Sequence, residues 1–138
     1  MEWDTRYQSD NEELRRDAIR PAMDWLGVTQ RPAPPKVDAK QVARTVARLL
    51  GVSVRTLRGR RRGAELGRVR ELVMLVGVET CGLKVRDLAD VIGRDPGSAS
   101  RLYGQATTRR REDPRFAALA QEVVEALRRH ERVREDAQ

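Results

Sequence analysis

Histidine and cysteine, on which most catalytic and metal sites depend, each occur only once in this chain, as His130 and Cys81. A single cysteine excludes an internal disulfide. His130 lies in a strongly charged stretch near the C-terminus, and Cys81 lies in an apolar helical stretch. Neither a Ser-His-Asp type of triad nor a zinc cluster can be assembled from these two residues. The sequence therefore predicts a protein that is not an enzyme and that uses no metal or cofactor.

Long apolar runs and aromatic residues are also scarce. The longest uncharged apolar run, Leu72 to Val78, is far shorter than the roughly 20 residues that a membrane-spanning helix needs. The N-terminus is acidic and lacks the apolar segment of a signal peptide. Aromatic residues make up only 4% of the chain. These features predict a soluble, cytoplasmic protein with no membrane partner and a small aliphatic core.

Charged residues, by contrast, are abundant and unevenly placed. They make up 36% of the chain, which has a net charge of +7. Residues 31–111 contain nineteen basic and seven acidic residues, a net charge of +12, whereas residues 1–30 and 112–138 carry −3 and −2. The basic surplus therefore lies in the middle of the chain. A concentrated positive field of this kind favours a polyanionic partner.

A helix-turn-helix pattern occurs in residues 85–103, VRDLADVIGRDPGSASRLY. Ala89 is small enough to let a second helix pack closely, and Gly93 stands where the chain must turn at positive φ. Asp95 can cap the second helix, and Pro96 suits its first position. The short or polar residues that follow would let this helix approach base edges. Buried αα-hairpins share the alanine and the glycine, so a purely structural hairpin is the alternative.

The remaining segments are predicted to be almost entirely helical. Residues 1–36 are interpreted as an acidic helical appendage with a proline-rich linker, residues 37–130 as the helix-turn-helix domain, and residues 131–138 as a charged tail that frays. The appendage contains three of the five aromatic residues, Trp3, Tyr7 and Trp25. Because a free tail has no need of them, we expect a homodimer contact, a protein partner or packing on the main domain.

Apolar periodicity, capping residues and glycines predict the helices of the domain. The first begins after Asp38, carries an apolar face of Val42, Val46, Leu49 and Leu50, and ends at Gly51. A short helical turn follows Ser53, and the glycine-flanked run 58–63 is predicted to be a basic loop. Further helices are predicted over 65–81, from 96 to about 110, and from 114 onwards. The last of these has an apolar stripe, made of Phe116, Leu119, Ala120, Val123, Val124 and Leu127.

Between residues 37 and 127 several short motifs follow one another in a recognisable order. They are Val46-Ala47, Gly51-Val52, Val54, Leu57, Arg60-Arg61-Arg62, Arg68 with Arg70, and Gly93-Arg94-Asp95. In this combination, about two-thirds of the chain resembles the C-terminal DNA-binding domain of the bacterial replication initiator DnaA. The resemblance implies an all-α, Trp-repressor-like fold that binds double-stranded DNA through a helix-turn-helix.

The chain departs from that family in three respects. The turn has the single Gly93 where initiators usually have two glycines. Pro96-Gly97-Ser98 replaces the His-Thr-Thr with which the family reads bases. No Walker-type phosphate-binding motif occurs, so the activity of an initiator ATPase is not expected. Similar domains occur at the C-terminus of transposase-like proteins, whose catalytic His-x-His pair is absent here as well.

The resemblance implies three sets of DNA contacts. The basic loop lies at the minor groove, where narrow A·T-rich segments attract arginine; its residues are Arg60, Arg61 and Arg62, with Arg62 as the inserted side chain. The start of the second helix lies in the major groove and presents Asp95, Pro96, Gly97, Ser98 and Arg101. Arg101 could donate to guanine O6 and N7, and Asp95 could accept from cytosine N4. The alternative for Asp95 is that it only caps the helix. Phosphate contacts are expected from Arg68, Arg70, Lys84, Arg86 and Arg94. The alternative for all of these residues is an ordinary solvated charge.

The sequence thus predicts a non-catalytic, nucleoid-associated protein that binds double-stranded DNA and acts as a regulator or as an accessory to replication or transposition. Two other classes remain open. The basic surface could bind structured RNA or an acidic protein, which would make the chain an adaptor. Alternatively, the chain could be the detached DNA-binding module of a transposase.

Overall fold

The computed structural model describes residues 33–137, and all the regular structure there is helical. The prediction of an all-α protein is therefore confirmed for this part of the chain. The helix predicted within residues 1–36 and the contacts expected of Trp3, Tyr7 and Trp25 fall outside the described residues. No helix among residues 33–137 is both long enough and apolar enough to cross a bilayer.

Within residues 33–137 six α-helices follow one another, and each begins close to its predicted start. They are α1 (Ala39–Leu50), α2 (Val54–Arg58), α3 (Ala64–Leu75), α4 (Val85–Val91), α5 (Pro96–Glu112) and α6 (Pro114–Ala137). Side-chain caps define several of the starts: Asp38 accepts a hydrogen bond from the amide of Gln41 at 2.9 Å, and Ser53 accepts one from Thr56 at 3.0 Å. Such caps satisfy amides that have no partner within the helix.

Helix α3 forms the centre of the fold. All but four of its twelve residues are buried, and they include Leu72, Val73 and Met74 with no exposed surface. The helix does not continue regularly to residue 81 as predicted, because Val76–Thr80 winds as a π-helical segment in which the amide of Cys81 donates to the Val76 carbonyl at 3.1 Å. The change in winding follows directly on the most buried part of the helix.

The core is aliphatic, as expected from the scarcity of aromatic residues. Its fully buried side chains come from all six of these helices and include Val42, Leu57, Leu88, Ala99 and Leu127. The prediction that Leu49 belongs to the apolar face of α1 is wrong, since 42% of this residue is exposed. Val42 and Val46 are fully buried, as predicted, and the other buried residues of the helix are Ala39, Ala43, Thr45 and Ala47.

Helix α6 carries the predicted apolar stripe. Phe116, Ala120, Val123 and Leu127 are buried, and Leu119 and Val124 are half-buried. The helix runs without interruption past His130 to Ala137. Residues 131–137, which were predicted to form a charged, frayed tail, are therefore helical and continue α6.

Candidate nucleic-acid interface

The turn between α4 and α5 has the geometry that the glycine predicts. Gly93 has φ of 65°, and the amide of the next residue, Arg94, donates to the Ala89 carbonyl at 2.9 Å. A Cβ atom at position 93 would lie 2.3 Å from the carbonyl oxygen of Arg58. The turn of the helix-turn-helix therefore contacts the end of α2 directly, at the point where the basic loop begins, and leaves no space for a side chain.

The start of α5 is fixed by its own residues. Asp95 accepts hydrogen bonds from the amide of Ser98 at 2.9 Å and from the Ser98 hydroxyl at 2.8 Å, and Pro96 occupies the first turn. The hydrogen bond from the Ser98 amide has the larger effect and the one from the Ser98 hydroxyl the smaller. Both lower the pKa of the Asp95 carboxyl because they stabilise its charged form. Both carboxylate oxygens are thus engaged in the cap. Ala99 is fully buried, as is Ala89 on α4, so small residues occupy this helix contact.

The basic loop leads from α2 to α3 without regular structure. Arg60, Arg61 and Arg62 are all exposed, and the loop ends at Gly63, which has φ of 141°. Positive φ at that position favours glycine. The three arginines thus stand on the surface next to the turn of the helix-turn-helix.

Arg70 is not at the surface, and its predicted phosphate contact is wrong. Only 3% of this residue is exposed. Its Nε donates to the Leu57 carbonyl at 3.0 Å, and its Nη2 donates to the Gly59 carbonyl at 3.1 Å and to the Thr56 carbonyl at 3.4 Å. Burial and the nearby Arg94 lower the pKa of its guanidinium. Arg70 therefore holds the end of α2 and the start of the loop from inside the protein.

The loop, α3 and the helix-turn-helix together enclose a cleft of about 360 Å³. Arg62 of the loop, Arg94 of the turn and Arg101 of α5 line it, and the buried Arg70 of α3 also contributes to the lining. Ser98 also lines the cleft. Residues that were predicted to lie in different DNA grooves are thus brought to one concave surface, which we call the arginine cleft; its full lining is Arg62, Gly63, Gly67, Arg70, Arg94, Ser98, Arg101, Leu102 and Gln105.

Ion pairs distinguish this surface from the rest of α5. Arg109 pairs with Glu71, with Nε and Oε2 2.7 Å apart, and Arg110 pairs with Glu79. The hydroxyl of Tyr103 donates to Glu79 at 3.0 Å. Within residues 33–137, neither Arg62 nor Arg101 pairs with a carboxylate. Among the described residues, the charges of Arg62 and Arg101 are therefore not balanced by an ion pair, whereas those of Arg109 and Arg110 later in α5 are.

The remaining predicted residues lie outside the arginine cleft. Arg60 and Arg61 are exposed on the loop, Arg68 is exposed on α3, and Lys84 and Arg86 are exposed at the start of α4. Asp95, Pro96 and Gly97 form the exposed start of α5. Arg94 does line the cleft, but its Nη1 also bends back to the Gly93 carbonyl at 3.0 Å.

Four residues of the cleft were absent from the sequence-based set: Gly63, Gly67, Leu102 and Gln105. Gln105 could have been found, because it follows Arg101 by four residues and so shares its helix face. Gly67 carried a weaker signal, a glycine within a helical pattern. The position of Gly63 depends on the path of an irregular loop, which no local pattern predicts.

No known family model matches this chain, and no curated protein is significantly similar to it. Among residues 33–137, no group of three or more metal-ligating side chains comes together. Burial raises the pKa of the Cys81 thiol to about 11, so this cysteine is uncharged at neutral pH.

Proposed function

We propose that this protein binds double-stranded DNA, with the start of α5 in the major groove and the basic loop at the adjacent minor groove. The observation that carries the proposal is the arginine cleft, in which Arg62, Arg94 and Arg101 surround one concavity without a carboxylate partner among the described residues. Guanidinium groups bind phosphate and guanine through several hydrogen bonds at once. The arrangement therefore suits a nucleic acid better than it suits a small neutral ligand.

The fold that we propose is Trp-repressor-like, similar to the C-terminal domain of the initiator DnaA. The close approach of Gly93 to the Arg58 carbonyl supports this proposal, because it fixes the position of the loop relative to the helix-turn-helix. The loop and the helix-turn-helix can contact two adjacent grooves only if the distance between these two elements matches the spacing of the grooves in B-form DNA. We propose a role as a regulator or as an accessory to replication or transposition.

Binding to a mixed-sequence duplex at several salt concentrations tests the proposal. If about five to eight phosphates are neutralised, log K against log salt should have a slope of about −4.5 to −7. A slope near −1, or tighter binding to structured RNA than to duplex DNA at matched salt, would contradict duplex binding and favour an RNA-binding or adaptor protein.

A pair of charge reversals makes this test local. Arg101→Glu should weaken duplex binding by about tenfold or more, because it places a carboxylate in the cleft. Arg129→Glu makes the same change in net charge on α6, which contributes no residue to the cleft, and should have a much smaller effect. Equal losses would mean that only the total charge matters.

A further inference from the structure

Gly67 is a glycine that the fold itself does not require. It lies in α3, one turn after the helix begins, and its φ is not positive. A Cβ atom at this position would meet no atom within 4 Å. Glycine inside a helix is less stable than alanine because it loses more backbone freedom on folding. Neither the backbone nor the packing of the protein therefore explains the residue.

The surroundings of Gly67 offer another explanation. It lies in the wall of the arginine cleft, between the loop that carries Arg62 and the helix that carries Arg101. Gly63, one helical turn earlier, lines the same wall. Two residues without side chains thus line the cleft together with the arginines, and they leave backbone accessible where a ligand could approach closely.

We propose that the arginine cleft binds one phosphodiester group of the DNA backbone, and that Gly67 provides the space for its close approach to α3. This inference rests on the proposed function. The cleft volume of about 360 Å³ is within the range of roughly 300–1,000 Å³ that is usual for ligand-binding clefts. Arg94, the half-buried arginine of the cleft that was predicted to contact the DNA backbone, can donate charge-assisted hydrogen bonds to the non-bridging oxygens of this phosphate.

The position of this phosphate gives it a specific role. It lies between the loop at the minor groove and the helix in the major groove, so it fixes the register of both on the duplex. Contacts to phosphate position a protein without carrying sequence information. Filling the cleft should therefore weaken binding to every sequence by about the same factor.

Two substitutions at Gly67 test the inference, because they separate stability from binding. Gly67→Ala should raise the melting temperature by about 4 °C, since alanine is the better helix former and its methyl group meets no other atom. The same variant should weaken duplex binding by about threefold, and Gly67→Leu by about tenfold or more, through the loss of charge-assisted hydrogen bonds. The salt slope of Gly67→Leu should be smaller by about one unit.

Ala118→Leu is the matched control, because Ala118 is exposed on α6, away from the cleft, and its affinity should equal that of the unmodified protein. If Gly67→Leu binds duplexes as the unmodified protein does, the phosphate site is refuted while duplex binding stands. A loss confined to one base pair, with an unchanged salt slope, would also overturn it, because a base would then occupy the cleft. If the unmodified protein does not bind duplexes, the proposed function and this inference both fail.

Discussion

The start of α5 and the basic loop border the same cleft, but they are held in place in different ways. Asp95, Pro96 and Ser98 fix the start of α5 through contacts within four residues of one another. Within the loop no side-chain cap of this kind is formed, and its local contact is the hydrogen bond from the Gly59 amide to the Thr56 carbonyl at 3.1 Å. The loop is held by Arg70, which donates hydrogen bonds to carbonyls eleven to fourteen residues earlier in the chain. The helix start is thus a local structure, whereas the loop depends on the tertiary fold.

This difference explains how two dissimilar elements can act as one surface. The loop begins at the end of α2, which contacts Arg70 from the inside and Gly93 from the side of the turn. A change in α3 therefore alters the loop, and the loop cannot shift far without disturbing the turn before α5. The start of α5 keeps its conformation through its own contacts, whereas the position of the basic loop depends on its contacts with the rest of the fold.

Removal of the Arg70 side chain should have the largest effect. Arg70→Ala removes the side-chain donor to the carbonyls of Leu57, Gly59 and Thr56, of which Thr56 keeps the hydrogen bond from the Gly59 amide. We therefore expect a loss of about 3 kcal/mol in the free energy of unfolding, because the buried packing of Arg70 is also lost. Urea denaturation measures that loss. The loop should also become more accessible, which faster tryptic cleavage at Arg60 to Arg62 would reveal in mass spectra of the fragments.

Arg70→Lys is the matched variant for this experiment. It keeps the positive charge, but a single ammonium group cannot reproduce the planar, forked geometry of a guanidinium, so its stability should be intermediate. If Arg70→Ala instead leaves the unfolding free energy within about 0.5 kcal/mol of the original and only reduces the salt slope of DNA binding, then Arg70 contacts phosphate and the distinction between the two elements is wrong.

The same contrast shows how far the sequence alone could lead. The caps at Asp38, Ser53 and Asp95 and the turn at Gly93 depend on neighbouring residues, and all four were predictable. Arg70 was misassigned because nothing in its neighbourhood along the chain distinguishes a buried arginine from an exposed one.

The π-helical segment and the cleft were not predictable for a related reason. Val76–Thr80 looks like an ordinary continuation of α3 in sequence, and its altered winding belongs to the packed fold. The convergence of Arg62 and Arg101 on one cleft requires α2, α3 and the turn to be in contact. Both arginines were predicted from the sequence, but no local pattern indicates the contacts between α2, α3 and the turn that bring them to one cleft.

Loss of the Asp95 cap should have a smaller and strictly local effect. Asp95→Ala should lower the melting temperature by a few degrees, as is usual when a helix loses its capping side chain. It should leave tryptic cleavage within the loop unchanged, because the loop does not depend on this cap. Faster cleavage at Arg60 to Arg62 would contradict the independence of the two elements.

The pH dependence of the cap supplies a second readout. The pKa of Asp95 is lowered in the folded protein, so its stabilisation is fully present above the unfolded pKa of about 3.9 and is lost as the pH falls through the folded pKa. Asp95→Asn keeps a capping oxygen without the ionisable group. The unmodified protein should therefore lose more stability than Asp95→Asn as the pH falls below about 4. Parallel losses would show that the charge of Asp95 does not matter.

The most direct test of the central claim, that the basic loop and the start of α5 contact two grooves of one duplex, is binding to a panel of single-base variants of a bound sequence. Arg62→Ala should weaken binding most at A·T-rich sites, where the minor groove is narrow. Arg101→Ala should cost about 1–3 kcal/mol and relax the preference at one base pair. Arg68→Ala, at an exposed arginine on α3, should weaken all sequences about equally. Three uniform and indistinguishable losses would contradict the claim.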